Sequence, residues 1–408
     1  MTTFDTHAAA TSSKPSRPRA ALPALCATQI TSWGVLYYAF PVLSSRVTAD
    51  TGWSQAEASA AFSAALLVSA AAGIPVGRIL DRRGPRAVMT TGSCLAVVAL
   101  LAIAASPNLM AFTAAWMLAG TAMAATFYQP AFAALTRWYG PDRVRALTIL
   151  TLAGGLASTV FAPVTAILSQ HLTWRGTYLT LAAILAAATI PAHALALRGP
   201  WPPAPAATPA GTPHNPATVA RSRPFLFLAA SLTLSGFALY AVVIALVPLL
   251  TERGTSPSTA AWALGLGGLG QTLGRTLYTT IATRTGVTAR TVILIAAGGA
   301  STALLATVPG PTPLLITLAI LAGAVRGNLT LLQATAVTDR WGSTNYGHLS
   351  ALLAAPVTIA GALAPWASAA LAGPLGGYPH LFAALACLSA AAALLALATE
   401  ARPDPDLT

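Results

Sequence analysis

Residues 73–89 read GIPVGRILDRRGPRAVM. An apolar stretch runs into four arginines, Arg78, Arg82, Arg83 and Arg86, set around the acid Asp81, and then turns apolar again. Each position suits a short loop between two membrane-crossing helices. Gly77 permits close helix contact, and Gly84 turns the chain. Asp81 is placed to cap a neighbouring helix or to pair with an arginine across the same membrane face. The stretch therefore predicts its own surroundings: one helix arriving at a basic membrane face and another leaving it.

The rest of the chain fits that expectation. It is 55% hydrophobic and 8% charged, against about 25% charged in soluble domains. Windows of about 20 apolar residues, enough to cross a bilayer, fall near 22–45, 56–79, 88–105, 109–134, 145–169, 176–197, 225–250, 258–282, 290–308, 312–337, 346–372 and 378–399. The fold class expected is an all-α membrane protein of about twelve transmembrane helices in two six-helix pseudo-repeats. With the N-terminus placed in the cytoplasm, seventeen of the 22 basic residues fall on inside segments. Arg46, Arg175 and Arg253 fall outside, and Arg275 and Arg326 lie within spans. The positive-inside rule thus predicts a multi-pass plasma-membrane protein with both termini cytoplasmic. The net charge of +12 is a topology signal; a nucleic-acid partner would want those charges on one soluble face. Residues 1–21 are polar and precede a full-length span, which argues against a cleaved signal peptide. Cys26, Cys94 and Cys387 lack ligand spacing and read as small apolar residues.

The run RGPWPPAPAATPAGTPHNPATVARSRP (198–224) is too rich in Pro, Ala and Thr to form a packed core. It separates a tail (1–21) and a first six-helix bundle (22–197) from a second bundle (225–399) and a short tail (400–408). The bundles share an offset near 202 residues: Gly52 and Ser54 recur as Gly254 and Ser256, Arg82 and Gly84 as Arg284 and Gly286, and Ala162-Pro163 as Ala364-Pro365. Parallel repeats joined by a central linker suggest a transporter built on repeat symmetry.

On these residues the chain resembles the major facilitator superfamily. The match is the G-x-x-x-D-R-x-G-x-R loop, here Gly77, Asp81, Arg82, Gly84 and Arg86. The resemblance implies that this loop latches a gate in the outward-open state. The second copy keeps Arg284 and Gly286 but carries Thr283 in place of the acid, so its latch is expected to be weaker. Exporter motifs are incomplete: Trp116 stands four residues before Gly120, and Ala162 precedes Pro163. Three stretches resemble the monocarboxylate-porter and oxalate/formate exchanger branch: 32–63, 137–178 and GLGQTLGRTLYTTIATRTG (268–286). In that branch an aspartate often stands four residues before an arginine that binds the substrate carboxylate. Arg275 matches the arginine, and Gln271 occupies the acid's position.

Helical spacing points to the same place. Gln271, Arg275 and Tyr278 share one face at i, i+4, i+7, as do Arg326, Thr330 and Gln333. Gln29, Trp33, Tyr37 and Phe40 form a polar-aromatic stripe, and Tyr240 lies mid-span. A guanidinium clamps a carboxylate with two parallel charge-assisted bonds. An arginine at mid-membrane costs at least about 2.5–3.5 kcal/mol, so two of them without a neighbouring acid ask for an anionic partner. Plainer readings exist: Arg275 snorkels, Arg326 bonds carbonyls, the stripe and Tyr240 are packing. No span carries a carboxylate at its middle, so a proton relay through an intramembrane acid is not expected; the routes left open are a proton carried with the substrate, through water or through His348, and exchange of anions needs none of them. No metal-spaced His/Cys set, nucleotide loop or triad occurs, so neither enzyme activity, cofactor nor metal is expected. The expectation is a monomeric secondary transporter of small organic anions, monocarboxylate-like, in the lipid bilayer, with efflux of lipophilic or drug-like compounds as the alternative.

Overall fold

Caps set where apolar sequence becomes helix. Ser54 and Glu57 form a reciprocal capping box, Asn108 and Thr173 accept from backbone N–H groups at two further starts, and Ser222 and Ser256 do so later in the chain. Each satisfies a donor that the helix leaves orphaned. The structure, a computed structural model, describes residues 18–201 and 216–399. The expectations for 1–17, for most of the linker (202–215) and for the tail (400–408) lie outside the described residues.

The first rod is α1 (Ala21–Trp33), a π-turn (Gly34–Tyr38) and α2 (Ala39–Thr51). Next come α3 (Gln55–Arg83), α4 (Pro85–Ala105), the pair α5 (Leu109–Thr126) and α6 (Tyr128–Tyr139), the pair α7 (Arg143–Gly155) and α8 (Ala157–His171), and α9 (Trp174–Pro191), which ends in a second π-turn (Ala192–Ala196). A short α10 (Pro216–Arg221) leads into α11 (Arg223–Glu252). Then α12 (Pro257–Gly274) passes through a 3₁₀ turn (Arg275–Leu277) into α13 (Tyr278–Arg284). The chain closes with α14 (Val287–Thr307), α15 (Thr312–Ala336), a short α16 (Thr338–Trp341), α17 (Tyr346–Ala372) and α18 (Tyr378–Leu397). Among the described residues there is no strand. Nine stretches among the described residues are long and apolar enough to cross a membrane. One of them, Leu109–His171, folds back as two rods, and the interrupted rods α1–α2 and α12–α13 bring the total to twelve.

Packing follows the two halves of the chain. In the first, α4 packs on α5 and α9, and α3 on α5; in the second, α12 packs on α15, α14 on α18, and α11 on α17 and α18. The halves meet where α3 runs beside α17, and where α7 meets α12, α13 and α15. Moved along by the repeat offset, α3 falls on α12–α13 and α7–α8 falls on α17, so the two seams are repeat-related copies of one contact. Lipid gives apolar helices no hydrophobic reason to associate, so contact must come from close packing. Gly77 and Gly347 supply it: a Cβ on Gly77 would lie 2.3 Å from the Gly347 carbonyl oxygen.

The buried side chains divide unequally between the two ends. Leu80, Trp138 and Leu147 of the first half share one cluster with Leu228, Leu331 and Tyr346 of the second, at the end bearing the 81–86 loop. At the opposite end each half has its own cluster, around Phe112 and Trp174 in one and Leu250 and Phe382 in the other. The halves are thus closed together at the basic end and stand apart at the other, with a central cleft between them.

Candidate functional site

Arg275 lies buried at the seam where the two halves meet. It opens the 3₁₀ turn of the α12–α13 rod and is only 6% exposed. Its Nη1 donates to the Thr151 carbonyl of α7, across the boundary between the halves. The α7–α8 break makes that approach possible. A Cβ on Gly155 would lie 3.0 Å from Arg275 Nη1, and one on Gly154 2.3 Å from the Tyr128 hydroxyl. The field of the guanidinium reaches Tyr38 and Tyr128, and Tyr240 lies within electrostatic range of Tyr37, Tyr38 and Tyr128. Its Nε is buried without a partner.

The wall of the second half holds a recess of about 100 Å³. Gln271, Thr330, Gln333, Ser235 and Tyr240 give it polar groups, and Leu232, Leu329 and Val357 give it apolar surface. Tyr240 stands mid-way along α11 yet is 44% exposed, because it faces the cleft. On the opposite wall Trp33 stacks on Phe127 at 4.0 Å and contacts Tyr37 and Tyr128 edge-on or tilted. Gln29 donates to the Thr126 carbonyl at 2.7 Å, and Phe40 packs on Phe62 and Trp116.

Several residues that share a face on an unbroken helix are separated here. The 3₁₀ turn at 275–277 stacks Tyr278 below Arg275, one turn further along the rod than the recess that Gln271 lines. Tyr278 is fully buried, with its hydroxyl 2.6 Å from Thr335 Oγ1 and its ring under Arg290. Arg326 is 5% exposed and, like Arg275, does not line the recess. It donates from Nε to the Ala322 carbonyl of its own helix at 3.1 Å, and its Nη1 is buried without a partner. Its charge faces the α12–α15 contact near Gly267. Tyr38, Tyr128 and Thr151 reach the centre although spacing did not single them out. The π-turn at 34–38 and the interruption at Phe127 put the two tyrosines there, and neither is announced by a proline or glycine run.

The basic end carries the ties between the halves. Asp81 accepts from the backbone N–H groups of Gly347 at 3.0 Å and His348 at 2.8 Å, at the positive start of α17. Arg78 contacts the His348 ring across the same seam. Arg137 bridges the Asp81 and Thr344 carbonyls. Asp339 of the second half pairs with Arg143 of the first at 2.9 Å and with Arg290 of its own. Arg86 donates to the Ala194 carbonyl at 2.9 Å, while Arg82 and Arg284 are exposed. Gly84 has φ +76 and no room to spare, because Trp201 packs against it. Trp201 also donates to the Asp81 carbonyl, lies under Arg137 and meets Trp138 edge-on. At the open end, the ion pair Asp50–Arg175 and the contact of Glu252 with the Tyr378 N–H each stay within one half.

Known proteins agree with this architecture. The bovine monocarboxylate transporter 13 is 31% identical over 208 residues, covering 50% of this chain and 47% of that protein. The human monocarboxylate transporter 11 is 31% identical over 242 residues, covering 57% and 48%. The chain spans about half the length of the curated relatives it matches. Among solved structures, the E. coli fucose:proton symporter FucP superposes with a TM-score of 0.72 at 15% identity, covering 92% of this chain and 97% of that one. A second FucP structure, in the outward conformation, gives 0.70 at 15% identity over 93% and 99%. The family model of the Major Facilitator Superfamily matches residues 25–250 and again 226–408. With both halves matched and the twelve-helix arrangement in place, the chain belongs to the Major Facilitator Superfamily.

Proposed function

We propose that this protein is a secondary transporter that carries small organic anions, monocarboxylate-like, across the plasma membrane by alternating access as a monomer. Its two six-helix bodies rock about the central cleft, with the N- and C-termini cytoplasmic. The observation that carries this reading is Arg275. A cation at this depth costs at least about 2.5–3.5 kcal/mol, and a charge-assisted hydrogen bond returns roughly 1.5–3 kcal/mol. A carboxylate accepting two parallel bonds from that fork offsets far more of the burial than the Thr151 carbonyl does alone. No acid competes for it within the cleft walls described above. The names of the monocarboxylate transporters 13 and 11 support the same cargo class.

In this reading the recess holds the organic part of the substrate, with Gln271, Thr330 and Gln333 supplying hydrogen bonds, and Trp33, Tyr37 and Tyr240 enclosing it. The aromatic wall also suits neutral lipophilic compounds, the second reading. Uptake of radiolabelled short carboxylates, set beside neutral and cationic dyes, by proteoliposomes decides between them. Saturable uptake of a carboxylate that disappears in Arg275→Ala supports the anion reading. Dye transport that survives this substitution, with no carboxylate taken up, replaces it.

A further inference from the structure

We infer that His348 is the proton-binding group of the gate: protonation of its ring disfavours the closed α3–α17 seam and favours the state open at the basic end. The inference rests on alternating access as proposed above, but not on the nature of the cargo.

His348 stands in the first turn of α17, nearly buried, at the point where the halves meet. Its backbone N–H is held by Asp81 Oδ2 at 2.8 Å. Its ring nitrogens lie 3.3 and 3.4 Å from Arg78 Nε of α3. Near-equal distances to both nitrogens place the Arg78 guanidinium over the ring instead of along one lone pair, a contact that suits an uncharged ring. A protonated imidazole has an N–H at both nitrogens. Protonation therefore sets a second cation directly against Arg78.

The other groups around it reinforce this sign. Facing His348 from α3 are Arg78 and Asp81; from α6 comes Arg137, bound to the Asp81 carbonyl. On its own helix Tyr346 has its hydroxyl committed to the Ala334 carbonyl at 2.7 Å. Two cations thus stand beside one carboxylate, and both oxygens of that carboxylate already hold N–H groups of α17. The Ile74 carbonyl of α3 takes one ring N–H, but Asp81, the carboxylate facing the ring, is already committed, so a third positive charge is not balanced in the closed seam, whereas separation of α3 from α17 gives both cations access to water. His193 lies inside the first half against Ser93, and His171 and His380 lie at the far ends of α8 and α18. Among the described residues, His348 is the histidine at the contact between the halves.

The test uses the full chain with spin labels at Ala87 and Ala289, exposed positions at the basic end of either half. Inter-label distances are read without substrate at about pH 8 and about pH 5.5, on either side of the ordinary histidine value of about 6.5. We expect the long-distance population to rise about threefold on acidification. His348→Gln, which stays neutral, should hold the short distance at both pH values. His348→Arg, always charged, should give the long distance already at the higher pH. Arg78→Gln should weaken the response in an otherwise native gate. A pH response that persists in His348→Gln, or a wild-type distance that ignores pH, overturns the inference. Because no substrate is present, neither result bears on the carboxylate assignment, which uptake tests separately.

Discussion

At the scale of single residues, the decisive contrast is between the two buried arginines. Neither lines the recess, but Arg275 reaches across to the other half, whereas Arg326 bonds its own helix. Arg275→Lys keeps the charge and loses the planar fork. We expect it to weaken anion binding by about one to two decades, the equivalent of one charge-assisted bond of roughly 1.5–3 kcal/mol. Arg326→Gln should lose less, because it removes positive potential but no direct ligand. Calorimetry or tryptophan quenching on folded variants measures both; equal losses would place Arg326 in direct contact with the cargo. The outer acids are already committed. The Trp174 indole and the Arg175 guanidinium hold the Asp50 carboxyl below its usual range, Glu57 closes a capping box, and Glu252 holds the Tyr378 N–H. Replacing them one at a time should leave any pH dependence of uptake intact. A replacement that abolished it while preserving substrate binding would identify an outer proton carrier.

At the scale of elements, α12 and α15 form the tightest pair. A Cβ on Gly327 would stand 2.0 Å from the Gln271 carbonyl oxygen, and one on Gly274 2.1 Å from that of Ala324. Backbone cannot yield as a side-chain tip does, so Gly327→Ala must push the helices apart. We expect it to destabilise the second half by about 1–3 kcal/mol, read as a lower melting temperature and a lower yield of folded protein. Ala at Gly265, which meets nothing nearby, is the matched control. The same rods show what sequence conveys and what it does not. Twelve apolar windows, the arginine asymmetry and the 77–86 loop were legible, because hydropathy and charge act locally along the chain. The π-turn at 34–38, the break at Phe127 and the 3₁₀ turn at 275–277 were not. They have no composition of their own, and each rotates everything beyond it. Gln271, Thr330, Gln333 and Tyr240 converge from unbroken helical stretches, while Tyr278, beyond the 3₁₀ turn, packs against Thr335 and Arg290.

At the scale of the whole molecule, one end of the two halves is fused through a shared core and the other is not. Asp81 is the hub of the fused end. Asp81→Asn keeps the shape but loses the charge that holds two backbone donors at the start of α17. We expect slower transport with near-normal membrane insertion, checked by uptake rates of the purified variant against its expression level. Unchanged rates would show that the other ties suffice. Trp201 has a practical corollary. The polypeptide leaves the first half already anchored at Trp201, which packs on Gly84, Arg137 and Trp138. Anyone dividing this chain into two co-expressed pieces should let the first piece run through Trp201. A fluorescent protein spliced between 202 and 215 leaves that mooring intact, whereas trimming back to Arg198 casts it off and loosens the joint on which the two pieces must reassemble.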